Sequence, residues 1–597
     1  MIKVSDYVAQ RLKNVYGVKH VFLISGGGAM HLNDSFGKYL SYTCNHHEQA
    51  SAMAAEGYAR VNQELAVVNV TTGPGGLNTL NGVFGQWTDS VPVLYISGQV
   101  KYQTTIDSCQ VAGLRQLGDQ EVDIVSIVKP IVKYAEMVKD PLDIKVILDK
   151  AIKIATTGRF GPVWIDIPMD IQGAYIDETE LRSDGSTETG IYYENYDEQI
   201  NAIISLLKNS KSPLVIAGHG VRLAKSQELF LSLIEQLKIP VVTTFNGVDT
   251  LPEDNPYYVG RIGTLGQRSG NFALQNADLV ICMGTRNNIR QISYNWENYA
   301  TKAKIVSVDI DRAELQKPTL KLELAIHADL KDFIPLLMTK LVENKLSDFS
   351  KWLNWCLFRK QKYHPTKERL YLTNKEFINP YLFTLKLTEA MQNNSVLIAG
   401  NGSACVCAFQ AGMVKTGQRF IWNSGDASMG YDLPAALGAS VADLKKEVVC
   451  LAGDGSLMMN LQELQTIKHY NLPIKLFILN NDGYVSIQQT QRNFFPNNIV
   501  ACTQDSGVSF PDFIKLAQAF ELPVYRISSA ENLPEQITQV LDCKGPVVCE
   551  VYLDRDYSFV PKASAQRLPD GKLVSKPLDE MFPFLDQEEV LDNVYHS

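Results

Sequence analysis

The chain has 597 residues, 45% of them hydrophobic and 20% charged, and a formal net charge of −9 at pH 7. This length and composition predict a globular protein of three or four domains, each able to bury its own core. The negative charge without long basic runs argues against a nucleic-acid surface, and no apolar run approaches the roughly 20 residues of a membrane span.

The chain opens with MIKVSDYVAQRLKNVYG, a pattern typical of an amphipathic helix and not of a signal peptide. We therefore expect a cytoplasmic protein. Its ten cysteines are scattered along the sequence. Cys405 and Cys407 are too close for an easy disulfide and have no partner pair at metal-binding spacing. The cysteines are expected to be reduced and mostly buried.

The first predicted αβ domain covers residues 1–185. Its first strand, around Val21 to Ile24, ends in three glycines centred on Gly27, which allow the backbone to approach a ligand or simply to turn. A second predicted strand ends in His46-His47-Glu48, and an Ala-rich helical pattern begins at Glu48. A carboxylate at this position is either a favourable first-turn charge or a functional group.

Two segments of this domain are distinctive, namely HEQASAMAAEGYAR and VVNVTTGPGGLNTLNGVFGQWTDSVPVLYISGQV. Both resemble segments of the acetolactate synthases, a family that uses thiamine diphosphate. In that family the glutamate binds the pyrimidine ring of the cofactor. The resemblance therefore implies that Glu48 is a catalytic and cofactor-binding residue, and that Pro74 and Asn78 line the pyrimidine pocket.

Four residues of the first domain are candidates for contact with substrate. Gly27 and His47 lie at the same predicted sheet edge as Glu48. His46 departs from the family, which usually carries arginine or another residue there. Paired histidines can relay protons in this superfamily, and the alternative for His46 is a histidine held by a hydrogen bond at a strand end. A later segment, GLRQLGDQEVD, is similar to the Phe-Gln-Glu-x-Asp segment of the family, with Asp119 in place of the phenylalanine. The family's phenylalanine lies beside the reacting carbons, so the resemblance implies that Asp119 and Gln120 contact substrate. It also implies that Asp119 makes the pocket more polar on the side where the acceptor substrate binds.

A second αβ domain is expected over residues 186–375, after a polar run that predicts a linker. Glycine turns follow two of its predicted strands, in SPLVIAGHGVRLAKS and NADLVICMGTRNN, and a third strand ends in Asp309 and Asp311. Such turns suit a dinucleotide, but they also occur in any αβ sheet.

The acetolactate synthase branch binds FAD in this domain. The residues that match its pattern are Gly284, Arg286, Arg290, Asp309, Asp311 and Glu314. The resemblance implies FAD contacts from Arg286 and Asp309 in particular. Two aspartates of the branch are replaced by Asn287 and Asn288, which is a departure from the pattern.

The third domain is expected over residues 376–597. One apolar strand ends in Gly453-Asp454-Gly455, a helical pattern follows, and the next apolar strand ends in Asn480-Asn481-Asp482-Gly483. A right-handed crossover brings both turns to one sheet edge. The Asp454 carboxylate, the Asn481 amide oxygen and the Gly483 carbonyl then form half an octahedron for Mg²⁺. Each motif alone is also ordinary turn chemistry.

Taken together and in this order, the two turns resemble the thiamine diphosphate motif of the acetolactate synthase and pyruvate decarboxylase superfamily. The resemblance implies Mg²⁺ on Asp454, Asn481 and Gly483. It also implies that a bulky residue, Met429, bends the cofactor and that the Ala427 carbonyl faces its amino group. The further cofactor contacts expected in this domain are Gly402, Ser403, Gly453, Gly455, Ser456 and Tyr484. The stretch 556–597 is either a lid or docking tail, or a frayed terminus.

The resemblance covers nearly the whole chain and implies an α/β fold of three doubly wound parallel-sheet domains. It implies a carboligase that decarboxylates a 2-oxo acid, pyruvate, and transfers the acyl unit to a carbonyl acceptor, with thiamine diphosphate, Mg²⁺ and FAD. Acetyl transfer to a ketone or nucleotide-linked keto-sugar, and a pyruvate oxidase or decarboxylase activity, are the alternatives. Because two chains build each site in this superfamily, we expect a homodimer or homotetramer.

Overall fold

The computed structural model describes residues 1–109, 111–183, 196–367, 377–567 and 570–596. Within them, three parallel six-stranded sheets follow one another along the chain. Buried apolar clusters lie on both faces of each sheet, under the helices that cover it. The predicted α/β class with three doubly wound domains is thus confirmed. The expected boundaries near 185 and 375 lie outside the described residues and stay predictions.

The first and third sheets are copies of one topology. The strands of the first lie in the order Ser41–Cys44, His20–Leu23, Ala66–Val70, Val93–Gln99, Val163–Pro168 and Tyr134–Met137. Those of the third lie in the order Arg419–Ile421, Val396–Ala399, Val448–Gly453, Ile474–Asn480, Val547–Tyr552 and Val524–Ile527. Numbered along the chain, both orders are 2-1-3-4-6-5. The strand order therefore reverses between strands 1 and 3 in each, which is where open parallel sheets bind ligands.

The central sheet has a different order. Its strands lie in the order Tyr258–Arg261, Val241–Thr243, Pro213–Ala217, Leu279–Met283, Lys304–Asp309 and Leu324–His327. Numbered along the chain, this is 3-2-1-4-5-6, the order of dinucleotide-binding sheets. Its reversal lies between the first and fourth strands.

The longer helices of each domain alternate with its strands. Those of the first domain are Val4–Asn14, Met30–Tyr39, Glu48–Asn62, Leu80–Asp89 and Ile144–Thr156. Those of the central domain are Asp197–Asn209, Gln227–Leu237, Arg268–Asn276, Leu330–Val342 and Ser350–Lys362. Those of the third are Pro380–Ala390, Ser403–Ala411, Asp432–Ala442, Glu463–His469, Val485–Phe494, Phe513–Ala519 and Leu533–Leu541. Most are amphipathic surface helices, but every residue from Ala50 to Arg60 is buried.

That burial arises because the first and third domains pack through equivalent helices, Glu48–Asn62 and Asp432–Ala442. Each connects strands 2 and 3 of its own sheet. A Cβ atom added to Gly57 would lie 2.1 Å from the Ala435 carbonyl oxygen, and one added to Gly438 would lie 1.8 Å from the Ala54 carbonyl oxygen. Only glycine allows such close backbone contact. The two domains consequently share one apolar core.

A buried ion-pair cluster joins all three domains. Asp249 of the central domain accepts hydrogen bonds from Arg419 Nε at 2.8 Å and from the Phe420 backbone N–H at 3.2 Å. Arg419 also donates to the Arg60 carbonyl oxygen of the first domain at 2.7 Å. Burial alone would raise the pKa of Asp249, but the neighbouring Arg222 and Arg419 hold it at about 2. The carboxylate therefore stays charged and fixes the relative positions of the domains.

The C-terminal stretch is docked on the central domain. Its strand Lys562–Ala563 pairs with Met581–Phe582, and the Ala563 N–H donates to the Thr264 carbonyl oxygen at 2.7 Å. Near the end, Asn593 is 3% exposed and its carbonyl accepts a hydrogen bond from Asn276. Of the two expectations for this stretch, docking and not fraying fits residues 556–567 and 570–596, which are the part of it that the structure describes.

All ten cysteines are free thiols, and seven of them are buried, as expected. Among the helices of the described residues, none combines the length and the apolar character that crossing a lipid bilayer requires.

Candidate functional site

The first candidate site lies at the carboxyl edge of the third sheet, where the strand order reverses between Val396–Ala399 and Val448–Gly453. The turns after these two strands, and the turn after Ile474–Asn480, carry most of the predicted cofactor contacts. These residues are Gly402, Ser403, Gly453, Asp454, Gly455, Ser456, Asn481, Gly483 and Tyr484. The fold thus gathers residues that are far apart in the sequence on one edge.

Asp454 is the buried carboxylate of this edge, with 3% of its surface exposed. Its Oδ1 accepts a hydrogen bond from the Gly455 N–H at 2.7 Å, and its Oδ2 accepts from the N–H groups of Asn481 and Gly483 at 3.1 and 3.3 Å. Burial raises the pKa of Asp454 to about 6, although these hydrogen bonds oppose the shift. A nearby cation would compensate for the cost of burying this charge.

Three oxygen atoms converge beside Asp454 with no proton between them. The Asn481 amide oxygen lies 2.7 Å from the Gly483 carbonyl oxygen and 3.3 Å from Asp454 Oδ2. Rotating the amide by 180° would replace these contacts with two hydrogen bonds, so its present orientation is costly unless a cation sits between the oxygens. One carboxylate, one amide and one carbonyl oxygen are hard ligands of the kind that Mg²⁺ binds.

This donor set contains a single charged ligand, the Asp454 carboxylate. Within the described part of the chain, no group of three or more His, Cys, Asp or Glu residues is placed to hold a metal. A cation at Asp454 would rely on two neutral oxygens, and Mg²⁺ completes such partial sites with phosphate and water. The residues therefore fit Mg²⁺ bound together with a diphosphate.

The interval between the two turns differs from expectation in one respect. It contains two short helices, Asp454–Leu457 and Glu463–His469, instead of one. Between them, Asn460 is 1% exposed and donates to the Gly430 carbonyl oxygen at 2.8 Å. This hydrogen bond joins segments that are far apart in the chain, so the helical pattern of the sequence could not predict it.

Two further features of this edge suit a diphosphate. Gly402 has a φ angle of +87°, and open space lies where its Cβ would be, so its backbone is accessible to a ligand. The nine-residue helix Ser403–Ala411 begins at the next residue. Backbone N–H groups at such a helix start attract anions.

Ala427 and Met429 lie beside this edge. Ala427 has a left-handed φ of +60°, a conformation that costs a non-glycine residue about 1 to 2 kcal/mol and is found at functional sites. A Cβ atom added to Gly455 would lie 3.2 Å from Met429 Cε and 2.1 Å from the Tyr484 ring. Ser456 accepts a hydrogen bond from the Gly430 N–H at 2.8 Å and so holds the turn after Met429 in place.

Glu48 is the first residue of its helix, at the carboxyl edge of the first sheet. Its Oε2 accepts a hydrogen bond from Asn78 Nδ2 at 2.9 Å. Pro74 begins the short helix that precedes Asn78, and it is exposed. His47 caps the Glu48 helix, because its Nδ1 accepts a hydrogen bond from the Gln49 N–H at 3.1 Å. In the neutral form of His47, Nε2 therefore carries the proton.

Direct hydrogen bonds tie the Glu48 edge to the third domain of the same chain. Glu463 accepts from the His46 N–H and from Asn45 Nδ2, both at 2.8 Å. Asn460 Nδ2 donates to Gln49 Oε1 at 3.1 Å, on the residue next to Glu48. Sequence reasoning missed Glu463 and Asn460, because a glutamate in a helical pattern gives no sign of being fully buried.

The predicted substrate residues of the first domain lie on its surface. The Gln120 carbonyl oxygen packs against Gly73, beside Pro74, since a Cβ atom on Gly73 would lie 2.2 Å from it. Asp119 is exposed. The loop is organised by Glu121, whose carboxylate accepts hydrogen bonds from the N–H groups of Ile106, Leu117 and Gly118.

Gly27 also faces open space. No atom lies within 4 Å of the position of its Cβ, whereas Cβ atoms on Gly26 and Gly28 would collide with the side chains of Thr71 and Thr72. Two of the three glycines are therefore explained by packing. The middle one leaves backbone accessible at the point where the first sheet reverses its strand order.

The second candidate site is a cavity of about 460 Å³ at the strand-order reversal of the central domain. Residues of the first domain, such as Ser90 and Arg159, and of the third, such as Phe409, complete its wall. Arg286 and Asp309, the predicted FAD contacts, both line it. Burial raises the pKa of Asp309 to about 6. Gly218 and Gly284 end the two strands at the reversal, and a Cβ atom on Gly218 would lie 2.1 Å from the Gly284 carbonyl oxygen. These glycines bring the two strand ends together under the cavity.

Buried polar atoms line this cavity. Within the described part of the chain, neither ring nitrogen of His219 finds a hydrogen-bond partner, and burial lowers the pKa of His219 to about 3, so the ring is neutral. Arg290 Nη1 is likewise buried with no hydrogen-bond partner among the described residues. Unpaired buried donors are costly, and a polar ligand in the cavity would satisfy them. The cavity residues therefore fit a polar nucleotide such as FAD.

Other residues of the FAD-like pattern serve structural roles. Asp311 caps the helix Arg312–Leu315 and pairs with Arg159 of the first domain at 2.9 Å. Asn287 accepts a hydrogen bond from Gln291 Nε2 at 2.8 Å, and Asn288 caps the helix Ile289–Ile292. The two asparagines that replace the family's aspartates thus bond within their own turn.

Comparison with known proteins agrees with this domain order. The models of the thiamine pyrophosphate enzyme N-terminal TPP binding domain, central domain and C-terminal TPP binding domain match residues 2–127, 200–337 and 400–551. The chain is 31% identical to the acetolactate synthase large subunit of Lactococcus lactis subsp. lactis, covering 99% of this chain and 98% of that protein.

Relatives from photosynthetic organisms give a similar picture. The chain is 31% identical to the acetolactate synthase large subunit of Cyanidium caldarium, over 92% of this chain and 93% of that protein. It is also 31% identical to the chloroplastic acetolactate synthase of Arabidopsis thaliana, over 94% of this chain and 82% of that protein. The chain therefore belongs to the acetolactate synthase family of thiamine pyrophosphate enzymes.

Proposed function

We propose that the protein is a carboligase that uses thiamine diphosphate and Mg²⁺ to decarboxylate pyruvate and to transfer the two-carbon unit to a carbonyl acceptor. The observation that carries this proposal is the pair of edges described above. One edge presents the carboxylate of Glu48, and the other presents three converging oxygens. A hydrogen bond also joins Gln49, the residue after Glu48, to Asn460 of the third domain.

The roles of the residues follow from their positions. When bound, thiamine diphosphate supplies the nucleophilic carbon and the electron sink for loss of carbon dioxide. Glu48 would hold a proton at the pyrimidine ring nitrogen through Oε1, because Oε2 accepts from Asn78. His47 would donate its Nε2 proton to a substrate oxygen. Asp454, Asn481 and Gly483 would hold Mg²⁺, and the start of the Ser403 helix would bind the diphosphate.

The direct test is incubation of the purified protein with pyruvate, thiamine diphosphate and Mg²⁺. We expect release of carbon dioxide and formation of an acetohydroxy acid, identified by mass. Glu48→Gln should keep the fold and bind the cofactor, but lose activity by roughly 10² to 10⁴, because it removes a proton-transferring group.

Glu64→Gln is the matched control for this experiment. Glu64 is exposed just after the same helix and contacts neither edge, so the substitution should leave the rate unchanged. Activity of Glu48→Gln close to that of the unmodified protein would remove Glu48 from the mechanism.

The metal site has its own test, which does not depend on turnover. Asp454→Ala should abolish Mg²⁺-dependent retention of thiamine diphosphate, measured as cofactor that stays with the protein after desalting. Asp482→Ala is the control, because the Asp482 carboxylate lies in the same turn but pairs with Arg555 at 2.9 Å. Equal retention by Asp454→Ala and the unmodified protein would contradict the assignment.

We also propose that the central cavity binds FAD. The support is its position at the strand-order reversal, the Arg286 and Asp309 side chains on its wall, and the unpaired polar atoms of His219 and Arg290. A flavin ring and a ribose offer the acceptors and donors that these groups lack.

The purified protein should accordingly be yellow, with a flavin absorption spectrum, and Arg286→Ala should retain less flavin. Arg312→Ala is a control on a neighbouring exposed arginine that donates to His327 outside the cavity. A colourless protein with full activity would refute flavin binding. Bleaching of the flavin by pyruvate in step with product formation would instead favour an oxidase.

A second candidate function is acetyl transfer to a ketone or a nucleotide-linked keto-sugar. The observation that favours it is Asp119, a polar and exposed side chain next to Gln120, where the family has phenylalanine. A polar side chain at this place suits an acceptor that carries hydroxyl groups. Adding a panel of ketones to the pyruvate assay separates the two functions by the mass of the product.

We further propose that the active form is at least a homodimer. Exposed apolar side chains lie on the segments that follow the two edges in the chain, namely Leu77, Phe84, Trp87, Met458 and Met459, each between 37% and 48% exposed. Apolar surface of this kind beside a site is typical of an interface. Light scattering of active fractions should give a mass of two or four chains, and full activity from a monomer would contradict the proposal.

A further inference from the structure

The C-terminal stretch passes directly beside the candidate metal site. Tyr557, the first aromatic residue of this stretch, is 7% exposed, and its hydroxyl donates a hydrogen bond to Ser403 Oγ. Gln489, from the helix after the metal-binding turn, donates to the Tyr557 carbonyl oxygen at 2.9 Å and accepts from the Phe559 N–H at 3.3 Å. Tyr557 is therefore held firmly against this turn.

The Tyr557 hydroxyl faces the nitrogen side of the Asn481 amide. Asn481 Nδ2 lies 3.4 Å from Tyr557 Oη and 3.5 Å from Ser403 Oγ. Because Tyr557 gives its proton to Ser403, its oxygen remains an acceptor toward the amide. Both contacts are long for N–H···O hydrogen bonds, so each contributes little to the stability of the fold. Together they favour the amide orientation that places Nδ2 toward the two hydroxyls.

The orientation matters because the Asn481 amide has two alternatives. In the present one, its oxygen faces Gly483 O and Asp454 Oδ2, as a cation requires. In the alternative one, its N–H₂ group would donate to both oxygens, at 2.7 and 3.3 Å. The alternative satisfies the amide in the absence of metal but turns two N–H groups toward the position of the cation. A contact on the far side of the amide favours the present orientation and so assists metal binding.

We propose that Tyr557 is a positioning residue for the metal, because its hydroxyl holds the Asn481 amide with the oxygen toward the cation. The inference rests on the proposed role of Asn481 as a metal ligand. It assigns a function to the C-terminal stretch beyond docking, since that stretch sets the ligand geometry of a turn formed by the third domain. Hydrogen-bond partners of metal ligands commonly tune metal affinity in this way.

The test is Tyr557→Phe, which keeps the ring and removes only the hydroxyl. Mg²⁺ is titrated at a fixed concentration of thiamine diphosphate, and the cofactor retained after desalting is measured. We expect the half-saturating Mg²⁺ concentration to rise about tenfold, the lower end of the loss that follows removal of such a partner. The melting temperature of the cofactor-free protein should change no more than in the control.

Tyr381→Phe is the matched control. The Tyr381 hydroxyl is also buried, donates to Gln410 at 2.7 Å, and accepts from the Val560 N–H at 3.0 Å, so it holds the same stretch without touching Asn481. It should leave the Mg²⁺ titration unchanged. An equal rise in both variants, or no rise in Tyr557→Phe, would overturn the proposal.

A double-mutant cycle with Asn481→Asp sharpens the test. A carboxylate has two equivalent oxygens and needs no orientation, so adding Tyr557→Phe to Asn481→Asp should cost little further Mg²⁺ affinity. A full tenfold loss in that background would overturn the proposal. Failure of the unmodified protein to retain thiamine diphosphate with Mg²⁺ is a different result, because it would overturn the proposed function itself.

Discussion

The arrangement of both sheet edges depends on the close packing of two equivalent helices, Glu48–Asn62 and Asp432–Ala442. Gly57 and Gly438 let the backbones touch, and the first and third domains thereby share a single core. Any side chain at either glycine would separate the helices and, with them, the two edges. The same contact explains why the first helix is buried all round, although a helix on an isolated domain would keep one polar face.

The chemistry of the metal edge follows from a second constraint, the convergence of oxygens that no proton separates. Asp454 is buried and has no ion-pair partner among the residues that the structure describes, and the Asn481 amide turns its oxygen toward two other oxygens. Each feature is unfavourable by itself, and one cation would make both favourable. Ala427, beside the same edge, also adopts a left-handed backbone conformation, which is costly for a residue other than glycine.

The central domain differs from its neighbours in its strand order and in the hydrogen bonding of its buried polar groups. Its sheet has the strand order of dinucleotide-binding domains, whereas the flanking sheets share another order. Its cavity contains buried nitrogens of His219 and Arg290 that find no partner among the described residues, whereas the Asp249 carboxylate, which joins the domains, pairs with both Arg222 and Arg419. The contrast indicates that the Asp249 cluster holds the structure together, and it supports the proposal that the cavity binds a ligand.

Much of the molecule could be predicted from the order of residues along the chain. Apolar runs that end in glycine or polar turns predicted parallel sheets, and the GDG and NNDG turns predicted a common edge, because a right-handed crossover allows no other arrangement. The pattern did not predict that Asn460 breaks the helix between those turns, that Glu463 binds the loop before Glu48, or that Tyr557 reaches Asn481. These contacts join segments of different domains, and their energies depend on burial and orientation, which exist only once the domains have packed together.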